Sequence, residues 1–275
     1  MSIRTDLAIE TISVEQKNTS EKIKLGRVEI DRMSVEKQEN GTLNLGSYVT
    51  ISFDKFTPDD VRGEVHSAIK TELLSLIKNA ENVLIVGLGN RNITPDAIGP
   101  KVVEGIFSTR HIEKAVAESV GLKGLRTVSA IATGVLGQTG IEAAEQILGT
   151  VQRIKPSAVI VVDALAARDI SRLGCTVQLT DSGIRPGSGV GNSRAEISEK
   201  TLGVPTVAIG VPTVVDAATF AEDIVKREYL DPKGCSLMVT SRDIDSMINY
   251  SAKAIAHAIN CALQPEIESE ILLAL

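Results

Sequence analysis

The sequence predicts an α/β protein: a mostly parallel sheet with helices on both faces, plus a small N-terminal β-rich segment. From residue 56 onward, short Val/Ile runs alternate with amphipathic stretches, and continuous apolar runs mark strands buried on both faces. Residues 1–55 differ. They are charged and hold short alternating pieces, "KIKLGRVEI" and "GSYVTISF", which read as two or three strands or extended arms laid on the body. The chain thus divides into 1–55 and an α/β domain, 56–275.

Taken in order, "TPDDVRGEVHSAIKTELLSLIK" opens the second part. Thr57 is a candidate N-cap with Pro58 at the first helical position, and Val61, Val65, Ile69 and Leu73 form one apolar face. "NVLIVGL" reads as a strand and "GPKVVEGIFSTR" as the start of a helix with Pro100 in its first turn. "TVSAIA" is a strand, "TGIEAAEQILGTVQRI" a helix, and "AVIVVDAL", "CTVQLT" and "TVAIGV" are further strands. "CSLMVT" precedes a last helix, "SRDIDSMINYSAKAIAHAINCAL", with Ser241 as candidate N-cap. In such sheets ligands bind beyond the carboxyl ends of the strands.

Composition narrows the function. Of 275 residues, 43% are hydrophobic and 23% charged, an ordinary globular balance. The net charge of −6 and the 3% aromatic content argue against a basic nucleic-acid face or a base-stacking platform. No apolar run approaches the roughly 20 residues of a membrane span. The N-terminus lacks a signal-type apolar region. Cys175, Cys235 and Cys261 are widely spaced, with no C-x-x-C, as expected of reduced thiols in a cytoplasmic protein.

The segment "VLIVGLGNRNITPDAIGP", residues 83–100, carries the chemistry. Gly87 and Gly89 give G-x-G, but the third glycine of a dinucleotide fingerprint would fall at Asn92, and a phosphate-loop ending is missing. The segment's carboxylate is Asp96. A second, Asp163, follows the apolar run of "AVIVVD". A charge there is costly unless solvated or hydrogen-bonded. If these strands are neighbours, Asp96 and Asp163 meet at one rim of the sheet, where two close carboxylates share a proton. One can then act as base toward water while the other protonates the substrate, which suits peptide hydrolysis without a metal or a nucleophile. The alternative is that each caps a turn.

Two further turns fall on the same rim. "LTDSGIRPGSGVGN", residues 179–192, holds Gly183, Gly187, Gly189 and Gly191, whose N–H groups can line an anion or an extended peptide. "ATGVLGQTG" is the other. Candidate substrate contacts on these loops are Gly89, Asn90, Gly137, Asp181, Gly187, Ser188 and Gly189. Ser188 lacks the nucleophile-elbow pattern. His66 and His257 lie on helical patterns as surface or packing residues, His111 follows a helix, and no H-E-x-x-H occurs. No cofactor and no metal are expected.

The blocks "RTDLAIE", "VGLGNRNITPDAIGPKVVE", "GVLGQTGIEAAE", "VIVVDALAAR", "TDSGIRPGSGVGN", "AIGVPTVVDA" and "VTSRDID" resemble, in order, the spore germination protease family of endospore-forming bacteria. The resemblance implies a hydrogenase-maturation-protease-like fold and an atypical aspartic endopeptidase that degrades small acid-soluble spore proteins at germination. It implies a tetramer in the spore core, made as a zymogen that removes its own N-terminal segment, so that residues 1–55 include a propeptide. Motif matching places the family's proposed aspartates on Asp96 and Asp163. The first block is also similar to nickel-binding maturation endopeptidases, but no motif-borne His is present as a third ligand. A catalytically silent relative is the other alternative. The chain departs from the family at Arg185, where His is expected, and at Thr133, where Pro is expected. "TDLAIE" resembles the family's substrate pattern of Thr-Glu, a large apolar residue, Ala, any residue and Glu. It predicts self-cleavage between Asp6 and Leu7, with the segment lying in the groove as an added strand.

Overall fold

A computed structural model of the chain describes residues 5–11, 21–36, 44–119, 121–122, 124–191, 194–217, 219–221 and 237–274. Among them one sheet is formed by β1 (Glu21–Leu25), β2 (Val28–Val35), β3 (Gly46–Ser52), β4 (Asn82–Leu88), β5 (Thr127–Gly134), β6 (Ala158–Ala167), β7 (Thr176–Thr180), β8 (Thr206–Asp216) and β9 (Met238–Val239). The order across the sheet is β1-β2-β3-β7-β8-β6-β4-β5, with β9 on β8. The core strands β5, β4, β6 and β8 are parallel, as the sequence predicts; β7, β3, β2 and β1 follow antiparallel.

The apolar runs are buried on both faces because alternate residues feed two cores. Val83, Ile85, Ile160 and Val162 pack with helices Glu64–Ile77 and Ile244–Leu263. Leu84, Val86, Val159 and Val161 pack on the other face against Ile147 and Val151 of helix Ala143–Ile154. The three N-terminal strands extend this same sheet, β3 pairing with β7 from Tyr48 opposite Thr180 to Ser52 opposite Thr176. Arg32 on β2 makes a two-pronged bond to Glu72 of helix Glu64–Ile77, at 2.9 Å from Nε and 2.7 Å from Nη2.

Three local expectations are corrected. Thr57 caps a short 3-10 turn, Pro58–Val61, in a capping box with Asp60; the helix begins only at Glu64, after Gly63. Asp60 is also paired with Arg27, so it is held at the turn and cannot continue a helix. The last helix begins at Ile244 with Asp243 at its cap, while Ser241 accepts the Asp243 N–H at 3.3 Å. Asp163 does not end its strand, because β6 continues beside β8 to Ala167. His66 and His257 are buried, in keeping with packing and not with the surface. Cys235 lies outside the described residues.

Candidate active site

The site forms where two neighbouring strands part. β4 lies between β5 and β6, and its last pair with β6 joins Gly87 to Val162. β4 then ends at Leu88 while β6 runs on beside β8, so a crevice opens at the carboxyl end of β4. The strands that follow β4 in sequence lie on its opposite sides, the arrangement that puts binding crevices at such ends. Asp163 is the first residue of β6 beyond that last pair. It is 5% exposed, and its Oδ1 accepts the Ala164 N–H at 2.9 Å.

Asp96 reaches the crevice from the turn after β4. Gly89 has φ +108°, and a Cβ there would stand 2.1 Å from the Asp96 carbonyl oxygen and 2.9 Å from Oδ1. A glycine is therefore required for the chain to fold over Asp96. Asn90 N–H donates to Asp96 Oδ2 at 2.8 Å, and Gln138 Nε2 holds the Asn90 side chain at 2.8 Å. Thr94–Asp96 forms a 3-10 turn that leads into helix Ile98–Glu104.

Asp96 and Asp163 line one cavity of about 550 Å³, together with Asp6. Burial raises the Asp163 carboxyl well above the usual carboxylate range, with the charges of Asp96 and Asp6 adding to the effect. Burial also raises Asp96, against the opposing Asn90 N–H bond.

The N-terminal segment is built into the cavity wall. Asp6 N–H donates to the Ala166 carbonyl at 2.9 Å, and the Asp6 carboxylate accepts from Ala166 N–H at 2.9 Å, from Gly189 N–H at 2.6 Å and from the Ser188 hydroxyl. A Cβ at Gly189 would stand 2.4 Å from Asp6 Oδ2, so glycine permits this approach. Gln178 Nε2 donates to the Asp6 carbonyl at 3.2 Å, and its Oε1 accepts Ala8 N–H at 2.7 Å. Leu7 is 0% exposed, packed with Leu165, Ala167 and Val215. The expected added strand is not what forms: after Leu7 the chain coils into a single turn, Ala8–Thr11, because Gln178 and Glu10 turn it away from the sheet. Glu10 accepts the N–H groups of Arg168 at 2.8 Å and Asp169 at 3.0 Å.

Of the contacts expected from the sequence, Gly89, Asn90, Gly137 and Gly187 line the cavity. Ser188 and Gly189 act on it through Asp6. Asp181 is not brought there; its Oδ1 accepts Ser47 N–H at 2.7 Å, which ties β3 to the end of β7. Arg185, one of the two departures, pairs with Glu196 at 2.7 Å and is not among the lining residues. The sequence reading missed Ala166, Gln178 and Thr213, and the cavity-lining pair Glu142 and Arg194, 3.4 Å apart. Among the described residues Thr213 Oγ1 is buried without a hydrogen-bond partner, and Thr213 belongs to the cavity wall. The strand position of Thr213 gives no signal from a single sequence. The acid of "RTDLAIE" gives one only through the resemblance.

Fold and cavity together describe an α/β protein with a cavity lined by Asp6, Asp96 and Asp163 at the carboxyl edge of its parallel strands. The comparisons with known proteins are specific. Residues 3–227 match the family model described as germination protease. The germination protease of Clostridium tetani is 38% identical over 98% of this chain and 98% of its own. That of Caldanaerobacter subterraneus is 40% identical over 96% and 95%, and that of Bacillus subtilis 35% over 98% and 95%. The chain belongs to the germination protease family. A solved nickel–iron hydrogenase maturation protease, HycI from Thermococcus kodakarensis KOD1, is 19% identical over 68% of this chain and 98% of that chain; its TM-score of 0.38 is too low to bear on the site.

Proposed function

We propose that the protein is an endopeptidase that degrades small acid-soluble spore proteins during spore germination, with Asp96 and Asp163 as its catalytic pair. The observation that carries this reading is that a buried carboxylate, Asp163, and a half-buried one, Asp96, share one cavity where β4 and β6 part, and the charge of Asp96 bears on Asp163. In the proposed reaction Asp96, ionised, takes a proton from a water molecule as its oxygen attacks the scissile carbonyl carbon. Asp163 gives its proton to the carbonyl oxygen, so no free oxyanion forms in the buried site. Collapse of the tetrahedral species returns that proton to Asp163, and the proton on Asp96 passes to the leaving amine. Thr213 Oγ1, without a partner among the described residues, would bond the substrate main chain.

The same proposal makes the chain a self-processing zymogen. Asp6 occupies the groups that an acidic substrate side chain would use, namely Ala166 N–H, Gly189 N–H and Ser188 Oγ, and Leu7 fills the adjoining apolar pocket. Cleavage between Asp6 and Leu7 would release Asp6 from those groups and leave Leu7 as the new N-terminus. Tethering supplies a high local concentration, so Asp serves where a separate substrate would need a better fit. The proposed assembly is a homotetramer in the spore core. Mass spectrometry of protein held at mildly acidic pH tests the processing. A new N-terminus at Leu7, absent in Asp96→Asn, is the expected result. An intact N-terminus in protein that cleaves an added acidic spore peptide would sink the processing step and leave the pair; failure of well-folded protein to cleave any such peptide would sink both.

A further inference from the structure

Away from the cavity, His66, His257 and Cys261 converge in the helical layer on the other side of the sheet. His66 stands in the first turn of helix Glu64–Ile77, and His257 and Cys261 are one turn apart on helix Ile244–Leu263. All three are buried, at 7%, 3% and 6% exposure, and one ligand atom from each lies within 4.8 Å of the others. The cluster is unrelated to the proposed peptide chemistry.

Two features of this cluster stand out. Among the described residues His66 Nε2 is buried with no hydrogen-bond partner. A buried polar atom in that condition is costly to a fold, and a bound water or ion is one way to relieve it. The second feature concerns His257. Its Nδ1 is 2.7 Å from the Val61 carbonyl and its Nε2 3.0 Å from the Ser269 carbonyl. A neutral imidazole carries one ring proton, so it donates to one of these carbonyls and turns a lone pair toward the other, with the Ser269 hydroxyl 3.3 Å from Nε2.

We propose that His66, His257 and Cys261 form a structural site for a thiophilic divalent metal ion, zinc(II) by its donor set. Two imidazoles and a thiolate, without a carboxylate, are a zinc set and not a calcium or magnesium one. The bond from His257 Nδ1 to a backbone carbonyl is the orientation that metal-bound histidines use. Cys261 Sγ lies 3.6 Å from His257 Nε2. Tetrahedral bonds of about 2.05 Å to nitrogen and 2.3 Å to sulfur require an edge of about 3.6 Å. The wider pairs, up to 4.8 Å apart, must close by about 1.2–1.5 Å when the ion binds. A Ser269 oxygen or a water takes the fourth position. Binding converts the Cys261 thiol to a thiolate and releases one proton. The ion would fasten the last long helix to helix Glu64–Ile77 and to the Ser269 turn.

The test uses full-length protein stripped with EDTA, in a Cys175→Ser, Cys235→Ser background so that Cys261 is the sole thiol, titrated with cobalt(II) and then zinc(II). One equivalent of cobalt per chain should give a thiolate-to-cobalt charge-transfer band that zinc bleaches. Zinc should raise Tm by an amount on the order of 5 °C. Adding Cys261→Ser should abolish the band, and His66→Gln should weaken it and remove most of the Tm gain. Cobalt taken up without a thiolate band would belong to the acidic cavity and would overturn the proposal. So would the absence of uptake by the folded protein. If a variant misfolds, the unmutated chain decides: imidazole nitrogen resonances of His66 and His257 must shift with one equivalent of zinc, and unchanged resonances would overturn the site.

Discussion

The backbone N–H of Asn90 donates to Oδ2 of Asp96 at 2.8 Å, as that of Ala164 does to Oδ1 of Asp163 at 2.9 Å. Each bond opposes the effect of burial on its carboxylate, and Asp163 feels in addition the charges of Asp96 and Asp6. Asp96→Asn and Asp163→Asn should therefore both fold and both lose peptide cleavage, by about 10²–10⁴-fold or more. Steady-state assays on an acidic spore-type peptide check this. Near-full activity in either well-folded variant would exclude that residue as a catalyst.

Asp163 also predicts a pH dependence of stability. Its carboxyl is raised in the folded chain, so the fold binds that proton more tightly than the unfolded chain does. The resulting stability is full below the unfolded value of about 4 and is lost as pH rises through the folded value. Asp163→Asn removes a carboxyl that is costly to ionise in the fold, so the variant should melt above the wild type at neutral pH, and the difference should vanish as pH falls below about 4. A difference in Tm that does not vary with pH would contradict the assignment.

Gly89→Ala should damage the site more than its size suggests. The new Cβ meets the Asp96 carbonyl at 2.1 Å, and the backbone is at φ +108°. A side chain in such a conformation costs about 1–3 kcal/mol, and the turn holding Asp96 must move. Denaturant unfolding should show the loss, and cleavage should fall with it. Wild-type activity at wild-type stability would show that the turn does not position Asp96.

Leu7→Ala should loosen the N-terminal segment. Truncating a fully buried Leu costs about 2–5 kcal/mol, and here it falls on the docking of a single short segment. Hydrogen exchange at residues 6–10 should accelerate while the exchange of β6 and β8 stays the same. Unchanged exchange at Ala8, whose N–H is held by Gln178, would mean that Leu7 does not anchor the segment.

The Arg32–Glu72 pair should break asymmetrically. The Glu72 side chain is 2% exposed and that of Arg32 37%. Arg32→Ala leaves a buried carboxylate unpaired, a loss of about 3–5 kcal/mol. Glu72→Gln leaves a half-solvated guanidinium and should cost less than half as much. Urea unfolding midpoints of the two variants decide the order; equal losses would mean that burial of Glu72 does not govern the pair.

Much of this was legible in the residues themselves. Each apolar run from Val83 to Val86 and from Val159 to Val162 specifies a strand buried on both faces, because Val and Ile at consecutive positions leave no polar face for water. The carboxylates that interrupt or follow these runs, Asp163 and Asp96, stand out because a charge there must be solvated or bonded. What only the tertiary structure decided is which distant segments meet. That β6 outruns β4 and leaves Asp163 at their parting depends on strand register, which side-chain pattern does not encode for buried strands. That Asp6 faces Ala166 and Gly189 depends on a loop and a terminus closing over the same rim. His66 and Cys261 look like ordinary helical residues in the sequence, and they meet because two helices pack on one face of the sheet. Local spacing fixes the faces of helices and strands, whereas long-range pairing is set by the burial that the whole chain achieves at once.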